Sequence, residues 1–335
     1  MFEQKRLIAE FEEQSFTQII FPHSDTDWQP YLQEAQKSFC NIINTIIKFQ
    51  KCLVICDNIQ EVKKHFQAHE NLFFTEYKTD DTWARDCSAL SIEENKEIKL
   101  LDFTFNGWGG KFEAKRDNRL SSAIQNCYSA PIESKSFILE GGAVESNGRG
   151  TILTTAHAML NPNRNLQLTK TETTKYLKEF FGAKDIYYLN HGSLIGDDTD
   201  SHIDTLVRFA TPDTLMYVKC SDKTDAHYHQ LQLMERELQI LAKEKNFQLI
   251  ALPMPDAIYY EEERLPATYA NFLFVNGALL VPIYNVKQDQ EALKIFKSLF
   301  QEREIIPVDA SLLIRQHGSL HCVTMNFAAG IDLCC

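Results

Sequence analysis

Residues 269–283 read YANFLFVNGALLVPI. Tyr269–Val275 and Ala278–Ile283 are two strand-like runs, and the Asn276-Gly277 between them is the strongest short hairpin signal a sequence offers. A helical pattern at Gln288–Gln301 and a strand at Ile305–Val308 follow. The unit is hairpin, helix, strand, and the same order lies upstream. Cys87–Ile92 and Ile98–Phe105 flank the polar turn EENKE (93–97), ahead of a helix near Asn118–Cys127. Phe137–Ser146 and Gly150–Thr155 flank Asn147-Gly148, ahead of Thr169–Phe181 and the strand Asp185–Leu189. His202–Phe209 and Thr214–Lys219 flank Thr211-Pro212-Asp213, ahead of Asp225–Lys245 and the strand Phe247–Leu252. The N-terminal stretch resembles a partial fifth unit: strand Phe16–Pro22, helix Pro30–Gln50, strand Cys52–Cys56, short helix Ile59–Ala68, strand Leu72–Tyr77. In its first helix Leu32, Ala35, Phe39, Ile42, Ile43, Ile46 and Ile47 recur at three- and four-residue steps. The units share little sequence, so periodicity alone leaves a repeat array and an ordinary α/β domain with several hairpins equally open.

The chain has 335 residues, 44% hydrophobic and 24% charged, which fits a globular protein with a full core. Its formal net charge of −12 argues against nucleic acid and anionic membranes as partners, because both require a basic patch. A negative cleft would instead attract a small cationic substrate. Nine scattered cysteines, no signal-peptide core and no long apolar run predict a cytoplasmic protein with reduced thiols. No linker composition divides the chain, so one domain over residues 1–327 is expected. The tail AAGIDLCC (328–335) has no pattern and reads as a frayed end.

Polar groups gather beside glycines at strand ends. Trp83 and Asp86 lie in TWARD (82–86), and Glu140 precedes Gly141-Gly142 in a strand pattern. Asp197, Asp198 and Asp200 precede His202 and Asp204, which point the same way if that stretch is extended. Cys322 follows Gly318 by four residues. Each has a bland reading: Asp86 paired with Arg85, Glu140 capping a bulge, the aspartates a solvated loop, His202 a satisfied core histidine, Cys322 a small buried hydrophobe. His321 alternates away from Cys322 in an extended run and is set aside. His227 and His229, at a helix start, read as surface residues. Together the set offers a thiol, an imidazole and more carboxylates than orienting one histidine requires. Such carboxylates raise a thiol's pKa unless the substrate is itself cationic. A flat guanidinium fits, because carboxylates accept its N–H donors in pairs.

TWARD, FNGWGGKF (105–112), LEGGAVESNGRGTILTT (139–155), LNPNRN (160–165), GDDTDSHIDTLVRF (196–209), RLPATYANFLFVNGALLVPIYN (264–285) and HGSLHCVTM (317–325) together resemble agmatine deiminases of the guanidine-modifying, or pentein, superfamily. The resemblance runs in the same motif order from about Phe16 to Met325. It implies a five-fold pseudosymmetric α/β propeller of ββαβ-type units. It also implies hydrolysis of agmatine to N-carbamoylputrescine and ammonia, a step towards putrescine, without metal or organic cofactor. By position Cys322 matches the nucleophile, His202 the general acid/base, and Asp204, Asp86 and Glu140 the family's acids. Trp83 matches the tryptophan beside the substrate, Gly318 the glycine retained before the nucleophile, and Asp198 is the candidate to receive the substrate amine. The family's GGGN is replaced here by Gln316-His317-Gly318-Ser319, where Gly318 is expected to keep the turn and His317 to reach the pocket mouth or the surface.

An arginine deiminase, free or peptidyl, remains the alternative, with Arg85, Arg164, Arg208 and Arg264 available to clamp a carboxylate. A non-catalytic guanidine- or polyamine-binding protein should have lost at least one of Cys322, His202, Asp86 or Asp204, and all are present. An even-numbered oligomer, a dimer in the simplest case, is the base-rate expectation.

Overall fold

The Asn276-Gly277 turn forms as read. Leu273–Val275 pairs antiparallel with Ala278–Ile283, helix Asp289–Leu299 carries the chain back, and Glu304–Asp309 lies parallel to Ala278–Ile283. The computed structural model describes residues 5–335, and this order recurs through it. Val207–Thr211, Thr214–Lys219 and Gln248–Pro253 form one such sheet, with helix Tyr228–Lys245. Glu145–Ser146, Thr151–Thr155 and Asp185–Leu189 form another, with helix Lys170–Phe181. Leu90–Glu94, Glu97–Thr104 and Ile132–Ile138 form a third, edged by Lys5–Leu7. In each, the second strand is central: antiparallel to its hairpin partner and parallel to the strand that returns after the crossover.

The N-terminal unit is completed from the far end of the sequence. Thr324–Ala328 pairs antiparallel with Gln14–Ile20, which is parallel to Lys51–Cys56, and Leu72–Glu76 adds an edge. The molecule is a mixed α/β fold of several small sheets, five of which share one strand order. The helices form for ordinary reasons. Leu32–Ile46 buries Ala35, Phe39, Ile42, Ile43 and Ile46 along one stripe. Lys170–Phe181 starts on a reciprocal Thr169–Glu172 capping box. No helix among the described residues is long and apolar enough to cross a membrane.

Several boundaries differ from those expected. The strand read over Phe137–Ser146 is two: Ile132–Ile138 closes one sheet, the backbone turns at Gly141–Ala143, and Glu145–Ser146 opens the next. His202 caps a short helical turn, Ile203–Thr205, so it and Asp204 are not alternate residues of a strand. The strand expected from Cys87 starts at Leu90, after the turn Ala84–Cys87, and the one expected from Tyr269 starts at Leu273. The helix read over Asn118–Cys127 breaks into three short turns. Ser121 is buried and bonds outside the segment: its hydroxyl accepts from the Ala89 N–H at 3.0 Å. The tail is docked rather than frayed. Ile331 is fully buried, Leu333 bridges to Tyr128, and the Cys334 N–H donates to the Cys127 carbonyl at 3.0 Å. His227 is buried, not a surface residue: Nε2 accepts from the Ile195 N–H at 2.8 Å and Nδ1 bonds Asp225 at 2.9 Å.

The closing strand is held by aromatic packing. Phe327 is fully buried, stacked on Phe16 with centroids 4.5 Å apart and on Tyr128 at 5.1 Å. Phe327→Ala should therefore destabilise the protein by about 3–5 kcal/mol in urea or thermal unfolding, the range for an aromatic removed from a core. A change below about 1 kcal/mol would contradict the closure described.

Candidate active site

Asp86, Glu140, His202, Asp204 and Cys322 sit in four of the five turns that lead into the first strand of each repeated sheet. Asp86 lies in Ala84–Cys87 ahead of Leu90, Glu140 and Gly142 at Gly141–Ala143 ahead of Glu145, and His202 and Asp204 at Ile203–Thr205 ahead of Val207. Cys322 lies in a turn ahead of Thr324. The fifth turn supplies Asn271, two residues before Leu273. These turns touch in sequence. The Arg85 N–H donates to the Cys322 carbonyl at 3.1 Å, and the Gly142 N–H to Asp86 Oδ1 at 2.9 Å. Glu140 Oε2 is 4.0 Å from His202 Nε2. Thr268 Oγ1 donates to the Thr205 carbonyl at 2.9 Å, and Asn271 Oδ1 accepts from the His321 N–H at 2.9 Å, which returns the circuit to the cysteine turn.

Two glycines make the approach possible. A Cβ on Gly142 would stand 2.7 Å from His202 Nδ1, 2.9 Å from Asp86 Oδ1 and 3.1 Å from Asp204 Oδ2. A Cβ on Gly318 would stand 2.0 Å from the Trp83 ring. The expectation that Gly318 keeps the turn is thus corrected in kind: the left-handed residue is His317, at φ 65°, and Gly318 is required by the indole lying against it. The substituted residues are all engaged. Gln316 Nε2 donates to Tyr31 Oη at 2.6 Å, His317 Nδ1 lies 2.8 Å from the Gly196 carbonyl at the pocket mouth, and Ser319 Oγ lies 2.9 Å from Tyr284 Oη.

Asp86 and Asp204 lie near the thiol and Glu140 near His202, and each carboxyl is held differently. Asp86 Oδ2 accepts from Trp108 Nε1 at 2.9 Å, not from Arg85, which bonds Asn326 and the His321 carbonyl. Burial and the neighbouring Asp204 push the Asp86 carboxyl up to about 8. Glu140 is gripped by Arg164 Nε at 2.8 and 2.9 Å, and Arg164 reaches on to Asp200 at 2.8 Å. Burial also raises Asp204, but the hydrogen bond and charge of His321, with His202 and Arg208, more than offset it and leave the group below the usual carboxylate range. His202 is fully enclosed, and burial holds its pKa down to about 3. Burial, Asp204 and Asp86 push the Cys322 thiol up, as the carboxylate-rich setting predicts; Sγ lies 3.4 Å from Asn271 Oδ1.

His202 Nε2 and Asp204 Oδ1 are buried without a hydrogen-bond partner. The bland reading of His202 as a satisfied core histidine therefore fails. A cavity of about 520 Å³ is lined by Trp83, Trp108, Asp86, Gly318 and Cys322, and also by Asp25, Asp27, Asp80, Asp81, Asp117 and Asp198. Asp198 stands on the wall while Lys111 holds its carbonyl at 2.6 Å. Asp197 is absorbed locally, bonding Thr199 Oγ1 and the Ser201 N–H at 2.6 Å each. Of the arginines considered as clamps, Arg85 contacts Glu10 at 3.6 Å, Arg164 bonds Glu140, Arg208 bonds Glu10 and Glu145, and Arg264 bonds Asp225. Arg116 is the arginine on the cavity wall among the described residues; it pairs with Asp80 at 3.7 Å.

Sequence reasoning missed Asn271, Trp108 and His321. The repeat itself could have found Asn271, because four turns carry site residues and the fifth should too. Trp108 lies within FNGWGGKF, in a rare left-handed conformation at φ 53°. His321 was set aside on strand alternation, but Leu320–Val323 is a turn, and its Nδ1 lies 2.7 Å from Asp204 Oδ2.

A buried thiol, an enclosed imidazole and carboxyls converging on an acidic cavity define a site for covalent chemistry on a small cation. The chain belongs to the Porphyromonas-type peptidyl-arginine deiminase family, whose model matches residues 6–327. It is 42% identical to a Cys→Ser variant of C. jejuni agmatine deiminase solved with substrate bound, covering 98% of this chain and 97% of that one, with a TM-score of 0.94. A Porphyromonas gingivalis structure, provisionally titled an arginine deiminase, is 40% identical over 98% and 100% of the two chains, with a TM-score of 0.94. A Legionella pneumophila protein, provisionally named an agmatine deiminase, is 30% identical over 91% of this chain and 89% of its own.

Gly142→Ala tests the convergence. The added methyl must push His202 and Asp86 apart, so kcat/KM should fall by about 100-fold or more while the protein stays folded, as expected for a misplacement near 1 Å. Activity within about threefold of the parent would show that the turns do not meet as described.

Proposed function

We propose that this protein is an agmatine deiminase that hydrolyses the guanidinium of agmatine to N-carbamoylputrescine and ammonia, with Cys322 as nucleophile. The observation that carries the reading is the pair of buried, unpartnered atoms, His202 Nε2 and Asp204 Oδ1, gathered around Gly142 with Asp86, which lines an acidic cavity together with Cys322. Buried polar atoms without partners are rare in folded proteins, and a planar donor-rich cation would satisfy them. Asp86 and Asp204 hold the guanidinium, and Trp83 and Trp108 flank it. Its positive charge offsets the carboxyl groups that keep the thiol protonated in the empty site. Cys322 then passes its proton to His202 and attacks the central carbon. His202 gives the proton to the departing ammonia, leaving an S-amidino cysteine. Water, deprotonated by the same imidazole, adds to that carbon, and the C–S bond breaks to release the ureido product. Glu140, neutralised by Arg164, orients His202.

Agmatine is preferred over arginine because the cavity is rich in carboxylates and the interior arginines are already engaged. Asp198 receives the amine. The family's five-fold α/β propeller is supported by the five equivalent sheets and the circuit of turns between them, and one domain over residues 1–327 with a docked tail by the strand shared between its ends. Nine free thiols favour a reducing compartment such as the cytoplasm.

Ammonia release should be greatest from agmatine, lower from arginine and from an arginyl peptide, and abolished by Cys322→Ser or His202→Ala. Equal or better turnover of the peptide would transfer the assignment to peptidyl-arginine. The pH dependence follows from Asp86, which must be ionised to hold the cation. Because its carboxyl is pushed up to about 8 in the empty site, kcat/KM should climb by about tenfold per pH unit towards pH 8. The acid limb of kcat should lie lower, because bound cation favours the ionised form. A flat kcat/KM between pH 6 and 8 would remove Asp86 from this role.

A further inference from the structure

Behind the site, away from the cavity, Asp204 is tied to a residue near the N-terminus through His321. Asp204 Oδ2 lies 2.7 Å from His321 Nδ1, and His321 Nε2 lies 2.5 Å from Glu10 Oε2. Each of these two contacts needs a bridging proton, so the three groups share two protons and carry one net negative charge, whichever atoms hold them. Glu10 is fixed in turn. Its Oε2 accepts from Arg208 Nη2 at 2.6 Å and lies 3.6 Å from Arg85, and its Oε1 accepts from the Phe274 N–H at 3.1 Å. Arg208 also bonds Glu145 at 2.9 Å and has no exposed surface.

We propose that Glu10 and His321 are positioning residues for the deimination: the chain Glu10–His321–Asp204 fixes Asp204 so that its unpartnered Oδ1 faces the guanidinium, and keeps that carboxylate ionised in the buried site. The inference rests on the deiminase reading above. Neither residue touches the reacting carbon; both act through Asp204. The physical need is specific. Asp204 lies among Asp86, Asp197, His202 and the Cys322 thiol, and of these neighbours the acidic ones oppose its charge. Arg208 and Arg85 act from behind. Burial, Arg208 and Arg85 lower the pKa of His321, while Glu10 and Asp204 oppose them. Without Glu10 the bridging proton at Nε2 loses its acceptor, the ring becomes neutral, and Asp204 faces Asp86 with less compensation. Its carboxyl must then rise.

Glu10→Gln keeps the shape and removes the charge. His321→Asn keeps a donor near the Nδ1 position and cuts the connection to Glu10. In the parent one carboxyl, Asp86, limits kcat/KM on the acid side; in either variant Asp204 should titrate there too. The slope of log kcat/KM against pH below 7 should therefore steepen from about one towards two, and the ratio of kcat/KM at pH 8 to that at pH 6 should grow by about tenfold over the parent. A merely structural role would lower activity by the same factor at both pH values, and that outcome, or an unchanged profile, overturns the proposal. The parent provides a reading that needs no variant: proton NMR should show two exchange-protected protons in short hydrogen bonds at His321, and finding only one overturns the proposal as well. If the parent itself releases no ammonia from agmatine, the deiminase reading fails instead, which the parent assay reports separately.

Discussion

Three buried carboxyl groups packed into one site, Asp86, Asp204 and Glu140, cannot all carry charge unaided, because burial and mutual repulsion both act against ionisation. Each solves the problem in its own way. Glu140 takes a guanidinium from Arg164 on both oxygens. Asp204 takes a hydrogen bond from His321, backed by Arg208. Asp86 has no cation and two neutral donors, Trp108 and Gly142, and its carboxyl is pushed up to about 8. The site thus lacks one positive charge, which in the proposed mechanism the substrate brings. On that mechanism a neutral analogue of the same shape leaves Asp86 protonated and the thiol inert, so the charge requirement acts as a selectivity filter before any contact with the rest of the ligand.

The same constraint explains the layout around the centre. Carboxyls can converge only if no side chain stands between them, which is why a residue without a Cβ occupies position 142. They can stay apart from water only if large rings cover them, and Trp83 and Trp108 do so while each donates its indole N–H to an aspartate, Asp81 and Asp86. Asp25 and Asp27 are exposed and cost less than the buried carboxyls, while burial pushes Asp81 and Asp117 up to about 8 and about 7.

The regular elements were legible because apolar periodicity and turn chemistry are local. The strands Asp185–Leu189 and Thr214–Lys219 were placed to the residue, and the Asn276-Gly277 hairpin formed where expected. What failed was the short stretch before each hairpin. Glu140-Gly141-Gly142 and His202–Asp204 alternate as strands would, but their polar groups are required by partners on other turns, and that long-range demand sets the backbone. Asp86, His202, Asp204 and Cys322 were selected by chemistry and motif, and the turns bring them together. Asn271 and His321 escaped because each looked ordinary in its own sequence: one an amide before a strand, the other a histidine judged by an alternation that the turn abolishes. Glu10 carried no local signal, since its partners lie far away along the chain.

The strand Thr324–Ala328 pairs with Gln14–Ile20, and Cys322 stands two residues before it. On a ribosome the first sheet must therefore wait, half-built, until Thr324–Ala328 has emerged. Contacts of such long sequence separation form late. Cys322 arrives with the segment that completes that sheet, so a nascent chain that stops short of it has neither the closed sheet nor the thiol. Topological closure and delivery of this thiol to the site are one event.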